Sequence, residues 1–417
     1  MARLIQGNKV RNLIRVFVLQ TRLKGLGDKK AITPKHVHVI GAGTMGGDIA
    51  AWCALRGFNV TLQDREAKYL CQAFKRAHKL FNKRLRVTAD RNAALDRLIP
   101  DLEGNGVEHA DVIIEAIFEN TEAKHAIFRD VEPRMKSDAV LATNTSSIPL
   151  EELASVLSEP DRLVGIHFFN PVAMMPLVEI VKTESSSAAA VERATAFTQH
   201  IGKLPLPVKS SPGFLVNRIL MPYLLEAFAL FDVGVAPEAI DKAATDFGMP
   251  MGPVALADTV GLDICLHVAE ILGQRLGTSV PGRLRDLVNR GRLGRKSGEG
   301  FYRYKKGKAI KSGMPRGHRP ASDVSDRMML RMLNEVVSCL HDGVVEDADH
   351  LDAGMVYGTG FAPFRGGPLR YIETEGADSL LARLKVLEER LGSRFKPATG
   401  WEKLSGSKAQ STGNGQM

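Results

Sequence analysis

The sequence predicts a doubly wound parallel α/β sheet followed by two tandem all-α domains. Three observations predict it. A glycine turn, Gly41-x-Gly43-x-x-Gly46, sits between a β-branched run and a small-residue helical stretch. Apolar runs then alternate with helical stretches up to about residue 210, and long helical periodicity takes over beyond Ser211-Pro-Gly213.

His36-Val-His-Val-Ile reads as the first strand, the glycine turn and the stretch to Gly57 as turn and helix, and Phe58 to Gln63 as the second strand, ending at Asp64. Further strands are predicted at Val112–Glu115, Ala139–Thr143, Leu163–Phe168 and Leu177–Val181. Position makes the glycine turn a specific signal. Gly41 permits a tight turn, Gly43 lets backbone approach a pyrophosphate, Gly46 lets the helix pack on the sheet, and Thr44 and Met45 complete the loop. Asp64, eighteen residues after Gly46, is placed to accept hydrogen bonds from ribose hydroxyls and to repel a 2′-phosphate, which favours NAD over NADP, with Arg65 weighing the other way.

Beyond residue 213 a weak internal repeat emerges: Arg218, Glu226, Gly234 and Asp241 are spaced like Arg327, Glu335, Gly343 and Asp352, with two extra residues after the second glycine. Lys305 to Ala321, rich in Lys, Gly and Pro, reads as a linker, and the tail from Ser405 as disordered. The chain divides accordingly into a basic amphipathic helix (1–34), a dinucleotide-binding domain of Rossmann type (35–210), two helical domains (211–310 and 311–404) and a tail (405–417).

The formal charge of +9 does not indicate nucleic-acid binding, because most of the excess lies in residues 1–31, where eight basic residues face Asp28 alone. Val10, Leu13, Ile14, Phe17 and Val18 recur there at helical spacing. A docked helix, a mitochondrial transit peptide and a membrane-surface helix all fit, and scarcity of serine favours the first. The locale expected is the cytoplasm, or the mitochondrial matrix if residues 1–31 are a transit peptide. Ile219 to Val235, the longest apolar stretch, is interrupted by Pro222, Glu226 and Asp232 and is too short to span a bilayer. Cys53, Cys71, Cys265 and Cys339 form no CxxC pair, so neither a disulfide framework nor a structural metal is expected.

Gly165-Ile-His-Phe-Phe-Asn-Pro-Val-Ala-Met-Met-Pro-Leu-Val-Glu179 sets one imidazole and one carboxylate at a fixed spacing. An imidazole moves protons near neutral pH, and a carboxylate on its other nitrogen fixes the tautomer. A satisfied core histidine is the plainer reading of such a residue taken alone. Glu119 and Lys124, just beyond the strand at Val112, fall where open α/β sheets bind ligands, though a first-turn glutamate also complements a helix dipole. The Asn144-Thr-Ser146-Ser147 run places an amide and hydroxyls at the same sheet edge, where Ser147 equally suits a helix cap. Asn217 is expected four residues into a helix, a poor position for Asn by propensity, and a cleft role would explain it.

Residues 35 to about 305 resemble the L-3-hydroxyacyl-CoA dehydrogenases of fatty-acid β-oxidation. The run Gly165 to Glu179 resembles that family's most specific signature, joined by Asn144-Thr-Ser146-Ser, Lys209-Ser-Ser-Pro-Gly-Phe-Leu-Val-Asn217-Arg and Gly294-Arg-Lys-Ser-Gly-Glu-Gly-Phe-Tyr302. The resemblance implies NAD as cofactor and oxidation of a 3-hydroxyacyl-CoA. It also implies His167 as general base, Glu179 as its orienter, Ser146 and Asn217 on the reacting oxygen, and Glu119, Lys124, Ser146 and Asn170 beside the nicotinamide. The second helical unit and Arg11–Gly25 resemble the multifunctional β-oxidation proteins, in which a hydratase domain precedes this dehydrogenase and a thiolase is the partner. No hydratase domain is read in these 417 residues, so hydratase activity is not expected. In that group the tandem helical unit takes the place of a second subunit, which implies a dimer imitated within one chain. A non-catalytic scaffold for a thiolase, or a β-hydroxyacid dehydrogenase using a lysine, are the alternatives.

Overall fold

A computed structural model describes residues 7–276, 279–311 and 323–406. They form two compact units, one of Gln20–Phe214 and one of Met1–Leu19 with Leu215–Met417.

The sheet unit alternates strand and helix: β1 (His36–Ile40), α2 (Thr44–Leu55), β2 (Asn59–Gln63), α3 (Ala67–Arg84), α4 (Thr88–Asp96), β3 (Leu98–Asp101), β4 (Val112–Glu115), α5 (Thr121–Val131), β5 (Val140–Thr143), α6 (Leu150–Ala154), β6 (Leu163–Phe168), β7 (Leu177–Lys182), α7 (Ala188–His200) and β8 (Leu204–Lys209). Helix α1 (Asn8–Lys24) precedes them and crosses the division between units. The strand order is β3-β2-β1-β4-β5-β6-β7-β8, so the chain reverses direction of growth between β1 and β4 and opens a crevice at their carboxyl ends. Both faces are covered. Val37, Val39, Val60, Leu62, Ile114 and Ile166 pack into one core, and Ile40, Ile113, Leu141 and Leu163 into another.

Two strands escaped the sequence reading. Leu98-Ile-Pro-Asp and Leu204-Pro-Leu-Pro-Val-Lys carry prolines that argue for loops, yet each lies at an end of the sheet, where a missing N–H is tolerated. A second departure is directional. Strand β7 runs antiparallel to β6, because the residues between Phe168 and Leu177 are too few for a parallel crossover. This single reversal sets His167 directly opposite Glu179.

The helical unit continues with α8 (Val216–Asp232), α9 (Pro237–Phe247), α10 (Pro253–Val260), α11 (Leu262–Leu276) and α12 (Gly282–Asn289), then the antiparallel hairpin β9 (Arg303–Lys305) and β10 (Lys308–Ile310). It ends with α13 (Val324–His341), α14 (Ala348–Thr359), α15 (Pro368–Glu375), α16 (Ala377–Leu391) and α17 (Trp401–Gly406). The hairpin corrects the start of the expected linker: Lys306 and Gly307, both at positive φ, make a tight turn that returns the strand on itself. Residues 312–321 of that linker lie outside the described residues, as does the expected tail beyond Gly406, whose first two residues belong instead to α17.

The internal repeat is visible as duplicated chemistry. Asp241 accepts hydrogen bonds from Val254 and Ala255 N–H at the start of α10, and Asp352 does the same from Leu369 and Arg370 at the start of α15. A Cβ on Gly252 would approach Asp241 to 2.2 Å, and one on Gly367 would approach Asp352 to 2.3 Å, so both copies need glycine at the same turn. The third partner differs. Tyr302 Oη donates to Asp241 at 2.9 Å, whereas Arg15 of α1 reaches Asp352 at 2.9 Å and Asp349 at 2.6 Å. Asn12 donates to the Phe364 carbonyl and Tyr357 Oη to the Val16 carbonyl, so these residues of α1 are docked. Leu13, Ile14, Phe17 and Val18 stay exposed on its other side.

Candidate active site

The glycine turn closes on itself through steric necessity. Gly41 has φ 104°, and a Cβ there would come within 2.7 Å of the Ala116 carbonyl oxygen; a Cβ at Gly46 would lie 1.9 Å from the Gly41 carbonyl oxygen. At Gly43 a Cβ would meet no heavy atom within 4 Å, so the space above it is open to a ligand. Thr44 and Met45 begin α2, whose N-terminus carries unpaired N–H groups and a favourable dipole for phosphate. Asp64 is held against this loop by the Ala42 N–H, 2.8 Å from Oδ2. Open space over Gly43, a helix N-terminus and a carboxylate at the end of β2 fit the dinucleotide that the motif calls for.

Further along the carboxyl edge, Glu119 gathers the loop after β5. Its Oε1 accepts from Thr145 Oγ1 and Ser146 N at 2.7 Å and from Ser147 Oγ at 3.0 Å. Burial pushes the Glu119 carboxyl up, but the Lys124 charge and these hydrogen bonds prevail, and it ionises below the ordinary glutamate range. Lys124 is fully buried, with Nζ 2.7 Å from Glu115 Oε1 and 3.3 Å from Glu119 Oε2. Thr143 Oγ1 adds a 2.6 Å hydrogen bond to Glu115. Lys124 thus sits beneath the loop as its counter-charge, two residues being more deeply involved than the sequence suggested: Glu115 and Thr143. Ser147 is a partner of Glu119 and caps no helix; α6 begins later, at Leu150.

His167 is 5% exposed and Glu179 wholly buried, with Nδ1 2.7 Å from Oε2 across the β6–β7 pair. A carboxylate on Nδ1 places the proton there and leaves Nε2 as the basic nitrogen. Phe169 and Phe214 set their rings edge-on to the imidazole at 4.7 and 5.5 Å between centroids. Phe214 holds φ 51°, a left-handed conformation costing of order 1–3 kcal/mol for a bulky residue, and so turns its ring onto His167. Neither aromatic was singled out from sequence, and Pro212-Gly213-Phe214 was the available signal. Asn144 Oδ1 accepts the Phe168 N–H at 2.8 Å, tying the loop after β5 to the end of β6. Asn170 is exposed just beyond, followed by Pro171 through a cis peptide bond. Asn217 lies in the helical unit, at the second position of α8 and not the expected fourth, within the first turn where backbone N–H groups have no partner inside the helix.

A nucleotide-type crevice and a buried imidazole–carboxylate pair on one sheet are parts that an NAD-linked dehydrogenase needs. Residues 36–211 match the NAD-binding domain of 3-hydroxyacyl-CoA dehydrogenase, and residues 213–304 its C-terminal domain. The chain belongs to the 3-hydroxyacyl-CoA dehydrogenase family. It is 36% identical over 404 residues to the fatty acid oxidation complex subunit alpha of Shewanella amazonensis, an alignment covering 92% of this chain and 57% of that protein. Among solved structures it is similar to 3-hydroxybutyryl-CoA dehydrogenase of Escherichia coli, with TM-score 0.79 at 28% identity over 90% of this chain and 98% of that one. The dehydrogenase part of multifunctional enzyme 1 from C. elegans gives TM-score 0.67 at 27% identity, covering 94% and 98%.

Proposed function

We propose that the chain oxidises (S)-3-hydroxyacyl-CoA to 3-ketoacyl-CoA in fatty-acid β-oxidation, with His167 as the general base. The buried Nδ1–Oε2 contact of 2.7 Å between His167 and Glu179 carries the assignment. Bound NAD supplies the acceptor for the hydride that leaves C3. His167 Nε2 takes the hydroxyl proton as that hydride departs, and Glu179 stabilises the imidazolium that forms. Ser146 donates to the reacting oxygen from the loop that Glu119 fixes. Asn217 is assigned a second hydrogen bond to that oxygen on the family motif alone.

Gly41, Gly43, Thr44, Met45 and Gly46 would hold the pyrophosphate, and Asp64 the adenosine ribose. Asn170 and Glu119 are assigned to the nicotinamide side. Lys124, whose ammonium lies between Glu115 and Glu119, is assigned to the nicotinamide side as the residue that holds Glu119 in place. The Shewanella amazonensis relative is the alpha subunit of a fatty acid oxidation complex, and from the resemblance to the multifunctional β-oxidation proteins we infer that this chain also meets a thiolase subunit. Bacterial origin of that relative supports a cytoplasmic setting. No helix among the described residues is long and apolar enough to cross a membrane.

Purified protein should oxidise NADH when given acetoacetyl-CoA or longer 3-ketoacyl-CoAs, read as loss of nicotinamide absorbance. NADH binding without turnover on any chain length would instead establish the scaffold reading.

A further inference from the structure

Lys203 is 5% exposed and belongs to none of the motifs that mark the site. Its ammonium lies 4.2 Å from the Trp52 ring centroid on α2 and donates to the backbone carbonyls of Val172 and Met175, the latter at 2.6 Å. Those carbonyls belong to the connection between β6, which ends just after His167, and β7, which carries Glu179. The connection forms a single turn, with Met174 and Met175 N–H both donating to the Pro171 carbonyl, so the carbonyls that follow have no partner within the turn. Arg84 Nη2 takes the Ala173 carbonyl at 2.8 Å. Two cations therefore collect three carbonyls of one loop, those of Val172, Ala173 and Met175. Trp52 is itself fixed by its indole N–H on the Ile201 carbonyl, and Gly202, at φ 73°, turns the chain so that Lys203 enters beneath the loop.

We propose that Lys203 is a positioning residue of the dehydrogenase site, its ammonium clamping the loop that presents Asn170 and sets the register of His167 against Glu179. The inference rests on the function proposed above. A buried lysine is an expensive anchor, and here burial, with help from the Arg84 and Arg56 charges and against the pull of Cys53, lowers its pKa to about 8. The clamp should therefore loosen as pH rises through that value, whereas an arginine in its place stays charged.

The test compares wild type, Lys203→Met and Lys203→Arg in NADH-dependent reduction of acetoacetyl-CoA from pH 6.5 to pH 9.5, with hydrogen exchange of the Phe169–Pro176 segment measured alongside. Lys203→Met is expected to lower kcat/KM for NADH by about tenfold at neutral pH and to speed exchange in that segment. Lys203→Arg is expected to recover most of the loss and to move the alkaline fall of wild type upward from near pH 8. Activity of Lys203→Met within twofold of wild type across the range, or unchanged exchange in the segment, overturns the proposal. An alkaline limb identical in wild type and Lys203→Arg also overturns it, and this comparison stands even if Lys203→Met does not fold. Absence of turnover in wild type itself would count against the dehydrogenase reading, while the exchange comparison would still decide whether Lys203 holds the loop.

Discussion

His167 and Glu179 are partners across an antiparallel strand pair, Cα opposite Cα, with Nδ1 and Oε2 2.7 Å apart in a site almost closed to solvent. Twelve residues of sequence separate them, and the reversal of one strand removes that separation. A carboxylate at this burial is costly unless its partner is present, so the two side chains stand or fall together. Replacing His167 with Gln should therefore cut turnover by roughly 10²–10⁴-fold while leaving NADH affinity near that of wild type. Glu179→Gln, which keeps the shape but loses the charge, should fall by less than His167→Gln. Steady-state rates with acetoacetyl-CoA and fluorescence titration of NADH separate the two effects, and equal loss of NADH affinity would contradict the assignment.

Gly43 and Gly46 should respond differently to the same methyl group. At Gly46 a Cβ collides with the Gly41 carbonyl oxygen at 1.9 Å, so Gly46→Ala should lower Tm and recover poorly. At Gly43 the Cβ meets nothing in the protein, so Gly43→Ala should keep wild-type Tm and lose NADH affinity by tenfold or more, the methyl group occupying space a pyrophosphate needs. Thermal melts and NADH titrations of the two variants decide it.

His38 is buried in β1, its Nδ1 2.7 Å from Thr61 Oγ1 and its Nε2 3.0 Å from Gln63 Oε1. Burial lowers its pKa below the ordinary histidine value. Below pH ~6.5 the unfolded chain then binds a proton that the folded chain resists, so stability falls with falling pH at up to about 1.4 kcal/mol per unit until the folded histidine titrates too. His36, lowered in the same direction by its partial burial, adds to the trend. Urea unfolding at pH 7.5 and pH 5.5 should show the loss, and His38→Gln should reduce it. A stability that rises over that interval would refute the account.

Arg218 meets Glu335 at 2.6 Å, and Arg327 meets Glu226 at 2.6 Å, so each repeat gives its arginine to the other's glutamate. Reciprocal pairing of this kind is what a two-fold interface produces, here within one chain. We expect the protein to be active as a single chain, with light scattering giving one-chain mass under assay conditions. Arg327→Met should destabilise by about 3 kcal/mol, tempered by Arg394, which also reaches Glu226. Lys242→Met, which breaks an ion pair more than half exposed on both sides, should change stability by less than about 1 kcal/mol. Denaturant midpoints of the two variants test the contrast.

The dinucleotide half of the site was legible because its requirements are local. Gly41, Gly43 and Gly46 answer to backbone geometry within one turn, and Asp64 comes from the next strand of the same βαβ unit. The correspondence of Arg218 and Glu226 with Arg327 and Glu335 was likewise legible in spacing, which gave no sign that the two copies would exchange ion-pair partners. Residues acting through distant neighbours were not legible. Lys124 reads as a ligand contact until Glu115 is found against it, Ser147 reads as a cap until Glu119 claims it, Phe214 sits in a run whose sequence does not say where its ring turns, and Lys203 carries no motif at all.

Periodicity and the glycine turn determined the fold class and the cofactor type, because each follows from backbone geometry or from a repeat of two or 3.6 residues, and the run Gly165 to Glu179 offered the histidine and carboxylate as candidates. Tertiary structure decided the direction of β7, the face His167 gives to Glu179, the burial of Lys124 and the exchange of ion pairs between repeats. These depend on which surfaces exclude water together, a property shared by segments far apart in the chain.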